Sequence, residues 1–165
     1  PTSLAAPAGV QRVEIETAQD MLAASLSAAE NADIFVATAA VADYRPARAM
    51  DQKIKKKDAA LSLALERTDD VLKAVREKFP RLFMVGFAAE TEKLEQHAQG
   101  KLKNKQLDLI AANLVGNGRA FDRDDNALHL FWPGGEQQLA PASKTALARA
   151  LAQVIAQRYQ ARKFA

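Results

Sequence analysis

Lysines beside predicted strand ends are the residues of this sequence best suited to chemistry. The basic run 53–56 follows the small-residue segment 39–43, and Lys101 and Lys105 precede the apolar run 107–112. Loops at the carboxyl ends of parallel strands are where open α/β folds bind ligands. Lysines gathered there favour an anionic ligand, most simply one that carries phosphate.

The spacing of Lys101 and Lys105 is weak evidence when it is taken alone. The two residues are four apart in a predicted helix, so they lie on one face of it. Two ammonium groups on one face repel each other unless an anion lies between them, although exposed helices often carry such pairs without any function. A solvated turn next to a charge run is likewise the simpler interpretation of Asp43 and Lys53 from the residues alone.

Composition and charge exclude several classes of protein. The chain has 165 residues, of which 48% are apolar, so a folded globule with a buried core is expected. We expect one domain over residues 1–165. Lys+Arg 23 and Asp+Glu 20 leave a formal net charge of +3, which is too balanced to indicate a nucleic-acid partner. No apolar run reaches membrane-spanning length, so no membrane partner is expected and the predicted location is cytoplasmic.

Several common kinds of site have no support in the sequence. The chain has no cysteine, which excludes disulfides, thiolate metal sites and thiol nucleophiles. His97 and His129 are far apart and lack a partner at ligand spacing, so both are interpreted as structural or surface residues and no metal ligand is predicted. Neither G-x-G-x-x-G nor a Walker A pattern occurs, so ordinary dinucleotide and P-loop sites are not indicated.

Strands and helices are predicted to alternate through the middle of the chain. Short apolar runs of the buried type predict strands at 33–38, 82–85 and 107–112, the second of them ending at Gly86. This alternation favours an α/β fold with a doubly wound, mostly parallel sheet. Residues able to cap a helix predict helix starts at Thr17, in the segment 68–70, at Thr91 and at Ser143.

Further patterns predict four more extended segments. Residues 10–16 alternate weakly and could form a short strand, and leucines alternate with other residues at 61–65. Residues 127–132 and 136–139 flank the turn 133–135 and predict an antiparallel hairpin near the carboxyl terminus.

The basic and small-residue segments resemble, in the same order, those of the phosphopantothenate–cysteine ligases of coenzyme A biosynthesis, most closely the bacterial type. The matching segments are 39–44, 53–56, 86–91 and 101–113. The resemblance implies a Rossmann-like fold and a homodimer. It does not include the family's amino-terminal part, which carries a glycine-rich turn and a catalytic asparagine, so we expect the domain to be incomplete at its amino end.

The resemblance also implies roles for individual residues. Lys53 would be catalytic and would bind the nucleotide from a mobile flap that closes over the reacting groups. Phe87 would lie against the base or ribose, where an aromatic face can stack. The turn 68–71 departs from the family's usual Asn-Pro-Asp, so main-chain contacts are expected there. The implied nucleotide-binding residues are Ala39, Ala40, Asp43, Lys53, Thr68, Asp69, Asp70, Val71, Phe87, Lys101 and Lys105.

The reaction that the resemblance implies joins 4′-phosphopantothenate to cysteine, with CTP as co-substrate and Mg²⁺ as cofactor. The residues themselves do not distinguish CTP from ATP. A fused decarboxylase domain that binds FMN, or a companion amino-terminal segment, is a further implied partner. The alternative is a non-catalytic nucleotide- or polyanion-binding module, which strongly salt-dependent binding to nucleic acid would indicate.

Overall fold

The computed structural model describes residues 4–48, 62–115 and 125–163. Within these residues a 5-stranded sheet has the order β1-β4-β5-β6-β7, and β2 and β3 form a separate 2-stranded sheet. The elements in chain order are α1 (Ala18–Ala29), β1 (Ile34–Ala37), β2 (Tyr44–Pro46), β3 (Leu65–Arg67), α2 (Val71–Lys78), β4 (Phe83–Glu90), α3 (Leu94–Asn104), β5 (Leu109–Leu114), β6 (Asp125–Trp132), β7 (Gly135–Ser143) and α4 (Lys144–Lys163).

The large sheet confirms the predicted architecture. Strands β1, β4 and β5 are parallel to one another, and β6 and β7 add an antiparallel hairpin beside β5. The second arm of the hairpin runs past the predicted end at 139 to Ser143. Because β1, β4 and β5 point the same way, their carboxyl ends lie at one edge of the sheet, which we call the carboxyl edge.

Helices cover both faces of the sheet, so the fold is doubly wound as predicted. Successive residues of β4 alternate between the faces: Met84 packs in a cluster with α1, α2 and α3, whereas Phe83 packs in a second cluster with α4. Both side chains are almost fully buried. Burying a side chain of this size stabilises a fold by about 1.5–3 kcal/mol, so β4 contributes to the core on both faces of the sheet.

Two of the predicted helix caps are confirmed. Thr17 and Asp20 form a capping box, in which Asp20 N donates to Thr17 Oγ1 at 3.0 Å and Thr17 N donates to Asp20 Oδ2 at 2.9 Å. Hydrogen bonds to the Asp20 carboxylate from the backbone and side chain of Thr17, and from the backbone of Glu16, hold the pKa of that carboxyl below its usual range. Ser143 Oγ accepts from Ala146 N at 3.3 Å at the start of α4. Helix α2 is capped by Asp70 of the predicted segment.

The predicted end of a strand at Gly86 is wrong. Gly86 lies inside β4 and pairs with Ala37 on one side and Ile110 on the other. A Cβ atom there would stand 2.6 Å from Leu107 Cδ1, so this glycine makes room for a buried leucine and does not form a turn. The strand continues to Glu90 because β5 offers partners as far as Leu114.

The longer β4 displaces the start of the next helix. Thr91 does not cap α3; the residue in the cap position is Lys93, which adopts a left-handed backbone with φ 46° and makes no side-chain capping bond.

The predicted strand at 10–16 is also wrong, since this segment has no regular structure and Val10 and Val13 are exposed. Of the extended region predicted at 61–65, only its end joins a strand, β3, and residue 61 lies outside the described residues.

Asp108 joins the two helical layers at the amino end of the sheet. Its Oδ2 accepts from Arg76 Nη2 at 2.7 Å and from Met84 N at 2.8 Å, and its Oδ1 accepts from Arg162 Nη1 at 2.7 Å. Arg76 belongs to α2 on one face, and Arg162 belongs to α4 on the other. One carboxylate therefore fixes both helices to the start of β5.

We expect Asp108→Asn to lower the free energy of unfolding by about 2–4 kcal/mol, because a half-buried pair that loses one charge leaves its partners uncompensated. Arg76 and Asp108 are only 11% and 17% exposed. Chemical denaturation monitored by circular dichroism measures the change. The matched control is Glu77→Gln, which breaks the exposed Lys73–Glu77 pair at 3.9 Å and should cost under about 1 kcal/mol. Equal losses for the two variants would contradict this role of Asp108.

Candidate functional site

The turn that follows β1 is joined to the start of α2. Thr68 N donates to the carbonyl oxygen of Asp43 at 3.0 Å, and Thr68 Oγ1 donates to the carbonyl oxygen of Ala42. Ala39, Ala40 and Asp43 are exposed. Two of the sequence-predicted segments, 39–43 and 68–71, therefore lie side by side at the carboxyl edge.

Asp70 connects this turn to helix α3. Its Oδ1 accepts from Lys73 N at 3.1 Å and so caps α2. Its Oδ2 accepts from Lys105 Nζ at the far end of α3. The Asp70 carboxylate is thus used within the protein, and a ligand at this helix start would find main-chain N–H groups more readily than this side chain.

The backbone at the end of α3 fixes the place of Lys105. Gln106 adopts a left-handed conformation with φ 50°. Its N–H donates to Lys103 O at 3.1 Å, while the N–H of Leu107 donates to Leu102 O at 2.9 Å. This is the Schellman pattern that ends many helices, here without the usual glycine. Lys105 therefore stands at a well-defined helix end.

Lys101 is held by a second carboxylate. Its Nζ donates to Glu90 Oε1 at 2.7 Å, and His97 Nδ1 lies 2.9 Å from Glu90 Oε2. His97 and Lys101 are one turn apart on α3, and Glu90 is the last residue of β4. In the structure, two protein carboxylates balance the charges of Lys101 and Lys105, one for each lysine.

The electrostatics of Glu90 reflect these contacts. Burial raises the pKa of the Glu90 carboxyl, but hydrogen bonds from Lys101 and His97, together with their positive charges, lower it by more, so the pKa lies below its usual range. Lys101 and Lys105 remain 49% and 35% exposed. An ammonium group has three N–H donors, so each lysine can bind a ligand while it keeps its carboxylate partner.

Phe87 lies on the other face of the sheet from these pairs. It packs in the cluster formed with α4, whereas Ala88, its neighbour in β4, packs in the cluster formed with α3. Phe87 is partly buried. A ligand that touched both Phe87 and Lys101 would have to reach around the carboxyl edge. Contact with the nucleotide stays a prediction for all of these residues. Lys53 and residues 116–124 lie outside the described residues.

A cleft of about 700 Å³ lies at the opposite, amino edge of the sheet, between the ends of α1, α2 and α4. Several of its polar groups have partners within the protein: Tyr159 Oη donates to Asp33 Oδ1 at 2.7 Å, and Arg162 pairs with Asp108. The carboxyl ends of three helices meet there and favour the cations that line the cleft. The interaction of cations with helix carboxyl ends accounts for the arginines and lysines of the cleft without any bound ligand.

Two residues of the site were missed as functional residues from the sequence. Glu90 sits in a segment interpreted as a turn before a helix, and His97 was interpreted as structural or surface. The sequence pattern that could have identified them is weak: a histidine and a lysine four residues apart, preceded by an acid at the end of an apolar run.

No group of three or more metal-ligating side chains occurs in residues 4–48, 62–115 and 125–163. Among those same residues, no helix is long and apolar enough to cross a membrane.

Comparison with known proteins places the chain in a family. A family model described as the DNA/pantothenate metabolism flavoprotein C-terminal domain matches residues 1–159. The coenzyme A biosynthesis bifunctional protein CoaBC of Haemophilus influenzae is 44% identical over 161 residues, which are 97% of this chain and 40% of that protein. The protein of the same name from Escherichia coli is 40% identical over 164 residues, which are 96% of this chain and 40% of that protein. The chain thus spans well under half the length of these relatives.

A solved structure agrees with the sequence relatives. It is described as the C-terminal domain of coenzyme A biosynthesis bifunctional protein CoaBC, and it superimposes with a TM-score of 0.75 at 34% sequence identity. The match covers 95% of this chain and 70% of that one. The doubly wound sheet with its antiparallel hairpin is therefore the fold of that domain.

We expect the pKa of Glu90 to rise when Lys101 is replaced by methionine, because burial remains while one of the hydrogen bonds that lower the pKa is lost. Carbon-13 NMR of the side-chain carboxyl over a pH series measures it. Since the pKa in the folded protein is lowered, the Glu90 contacts stabilise the fold above the pKa of the unfolded chain. That contribution is lost as the pH falls through the pKa of the folded state.

The matched control for this titration is Lys103→Met, which removes an exposed lysine from the same helix. It should leave the titration of Glu90 unchanged. A Glu90 pKa that stays the same in Lys101→Met would show that the ion pair does not persist in solution.

Proposed function

The chain belongs to the family of DNA/pantothenate metabolism flavoprotein C-terminal domains, and from this membership we propose that it carries the phosphopantothenate–cysteine ligase function of coenzyme A biosynthesis. One observation supports the proposal above the others. Two lysines are each held by their own carboxylate: Lys101 by Glu90 at the carboxyl end of β4, and Lys105 by Asp70 at the start of α2, beside the turn that follows β1. The carboxyl ends of strands are where such folds bind ligands.

The lysine pairs suit a phosphate-bearing ligand of limited charge. Each ammonium group is balanced by a carboxylate, so the two lysines add little net positive charge to the site. Phosphate binding would therefore depend mainly on hydrogen bonds from the lysine N–H groups. We propose that Lys101 and Lys105 donate to the phosphates of CTP and that the main chain at 68–71 contributes further donors. Phe87 would lie against the base or ribose, and Ala39, Ala40 and Asp43 would line the nucleotide along the turn after β1.

The proposed reaction has two steps. The carboxylate of 4′-phosphopantothenate attacks the α-phosphate of CTP, the bond to the β-phosphate oxygen breaks, and pyrophosphate leaves. The amine of cysteine then attacks the acyl carbon of the resulting acyl-cytidylate, loses a proton and displaces CMP. Positive groups aimed at the phosphates stabilise the charge that develops in the first step. We assign Lys53 to the reacting groups, on a flap that closes and excludes water.

The protein oxygens at the candidate site could bind Mg²⁺ only together with oxygens of the substrate phosphates. Asp70 and Glu90 are occupied by Lys105 and Lys101, whereas the carboxylates of Asp43 and Asp69 are exposed. Magnesium in nucleotide sites is commonly held by one or two carboxylates together with substrate phosphates. When bound, the ion would offset negative charge on the triphosphate, and Asp43 is the residue we propose to hold it.

The proposal extends to the partners of the chain. We propose that it functions in the cytoplasm as a homodimer. We also propose that it is part of a longer ligase domain, because it covers 70% of the related solved domain. The relatives named as bifunctional are more than twice its length. A fused decarboxylase domain that binds FMN would account for that additional length.

Calorimetric titration with CTP and Mg²⁺ tests the binding part of the proposal. We expect Lys105→Gln to weaken binding about tenfold, because it removes a charge-assisted hydrogen bond to phosphate. The matched control is Lys103→Gln, the same change at an exposed position of α3, and it should bind like the wild type. Equal affinity for Lys105→Gln and the wild type would count against this site.

Release of pyrophosphate from CTP in the presence of 4′-phosphopantothenate and cysteine tests the catalytic part. The assay uses the complete gene product, since the chain alone is expected to lack part of the machinery. Lys53→Gln should lower turnover at least about a hundredfold with little change in the KM for CTP, because contacts made in the transition state act mainly on the rate.

The control for this assay is Lys57→Gln, at the lysine that directly follows the basic run 53–56, and this variant should retain turnover. A large increase in the KM for CTP at unchanged turnover would refute the catalytic assignment of Lys53. Absence of pyrophosphate release from the wild-type gene product would refute the ligase function itself.

A further inference from the structure

Lys101 cannot define the position of a phosphate by itself. Its side chain is 49% exposed and has a flexible four-carbon stem. An unrestrained lysine loses much conformational freedom when a ligand orders it, and this loss weakens binding. In the structure Lys101 is already restrained, because Nζ lies 2.7 Å from Glu90 Oε1.

Glu90 is well suited to restrain another side chain, because both its backbone and its carboxylate are fixed. As the last residue of β4 it pairs with Leu114, and its carbonyl oxygen accepts from Val115 N at 2.9 Å. Its side chain is only 13% exposed. His97 Nδ1, 2.9 Å from Oε2, occupies one carboxylate oxygen and leaves Oε1 for Lys101.

We propose that Glu90 is a positioning residue of the nucleotide site: it holds Lys101 so that the ammonium group is ordered at the carboxyl edge before the phosphates arrive, and His97 keeps the carboxylate in the orientation that does so. This role rests on the proposed function of the site. Glu90 does not touch the nucleotide and acts only through Lys101.

Two effects of Glu90 on an anionic ligand oppose each other. Its negative charge repels phosphate, whereas its restraint of Lys101 favours phosphate. The repulsion acts over a longer distance, through solvent, and is screened by salt. The restraint acts through a direct contact of 2.7 Å. At physiological ionic strength the restraint therefore outweighs the repulsion, and the advantage of the wild type should grow as salt is raised.

Glu90 offers a cleaner test than Asp70, the partner of Lys105. Asp70 also caps α2 through Lys73 N, so its replacement would disturb a helix start as well as a lysine. The hydrogen bonds described for the Glu90 side chain go to His97 and Lys101, both on α3. A change at Glu90 thus acts on one helix face.

The experiment is a double-mutant cycle on the affinity for CTP with Mg²⁺, measured by calorimetry at two salt concentrations. We expect Glu90→Gln to weaken binding about three- to tenfold, and Lys101→Met about tenfold. In the Lys101→Met background, Glu90→Gln should change the affinity by less than about twofold, because the residue it positions is gone. His97→Gln should weaken binding less than Glu90→Gln, since the contact between Glu90 and Lys101 remains.

The matched control is Glu95→Gln, which removes the same charge from an exposed position on α3, where Glu95 bonds only to Gln99 among the described residues. It should bind CTP like the wild type. Thermal unfolding of each variant measures any general loss of stability. If Glu90→Gln weakened binding only by destabilising the fold, its effect would be the same with and without Lys101.

The outcomes separate this role from the function it rests on. Tighter binding by Glu90→Gln would overturn the proposal, because Glu90 would then be only a competing charge. An equal effect of Glu90→Gln with and without Lys101 would also overturn it. If Lys101→Met weakens binding and Glu90→Gln does not, the nucleotide site stands and the positioning role fails. If the wild type does not bind CTP, the proposed function and the positioning role are both refuted.

Discussion

The Asp108 carboxylate is the contact on which the geometry of the molecule depends. It binds an arginine from α2 on one face of the sheet and an arginine from α4 on the other, and it accepts a hydrogen bond from the backbone N–H of Met84 in β4. Helix α2 is thereby fixed at its carboxyl end. Its other end carries Asp70, so a contact at the amino edge of the sheet also determines where Asp70 meets Lys105.

The two edges of the sheet use charge in different ways. At the amino edge, arginines satisfy carbonyl oxygens and Asp108, and the groups are largely buried, so the result is stability. At the candidate site, Lys101 and Lys105 each keep one carboxylate partner but stay partly exposed. Because their charges are balanced within the protein, they can be ordered without strong mutual repulsion and still have N–H donors for a ligand.

The sequence predicted those features that depend on local patterns. Apolar runs located β1, β4 and β5 because parallel strands covered on both faces lack alternation, and the capping box at Thr17 located α1. The extension of β4 could not be predicted, because Gly86 resembles a stop and residues 88–91 resemble a helix start. Only pairing with β5 reveals that the strand continues. Glu90 was missed for the same reason, since its partners on α3 are defined only once the end of β4 is known.

The central claim is that the carboxyl edge, and not the amino-edge cleft, is the nucleotide site. Nitrogen-15 NMR of the chain during titration with CTP and Mg²⁺ tests it most directly, since each backbone amide reports its own surroundings. The account predicts saturable shifts at Phe87, Glu90 and Lys101, with little change at the cleft. Shifts concentrated at Asp33, Tyr159 and Arg162 would contradict it.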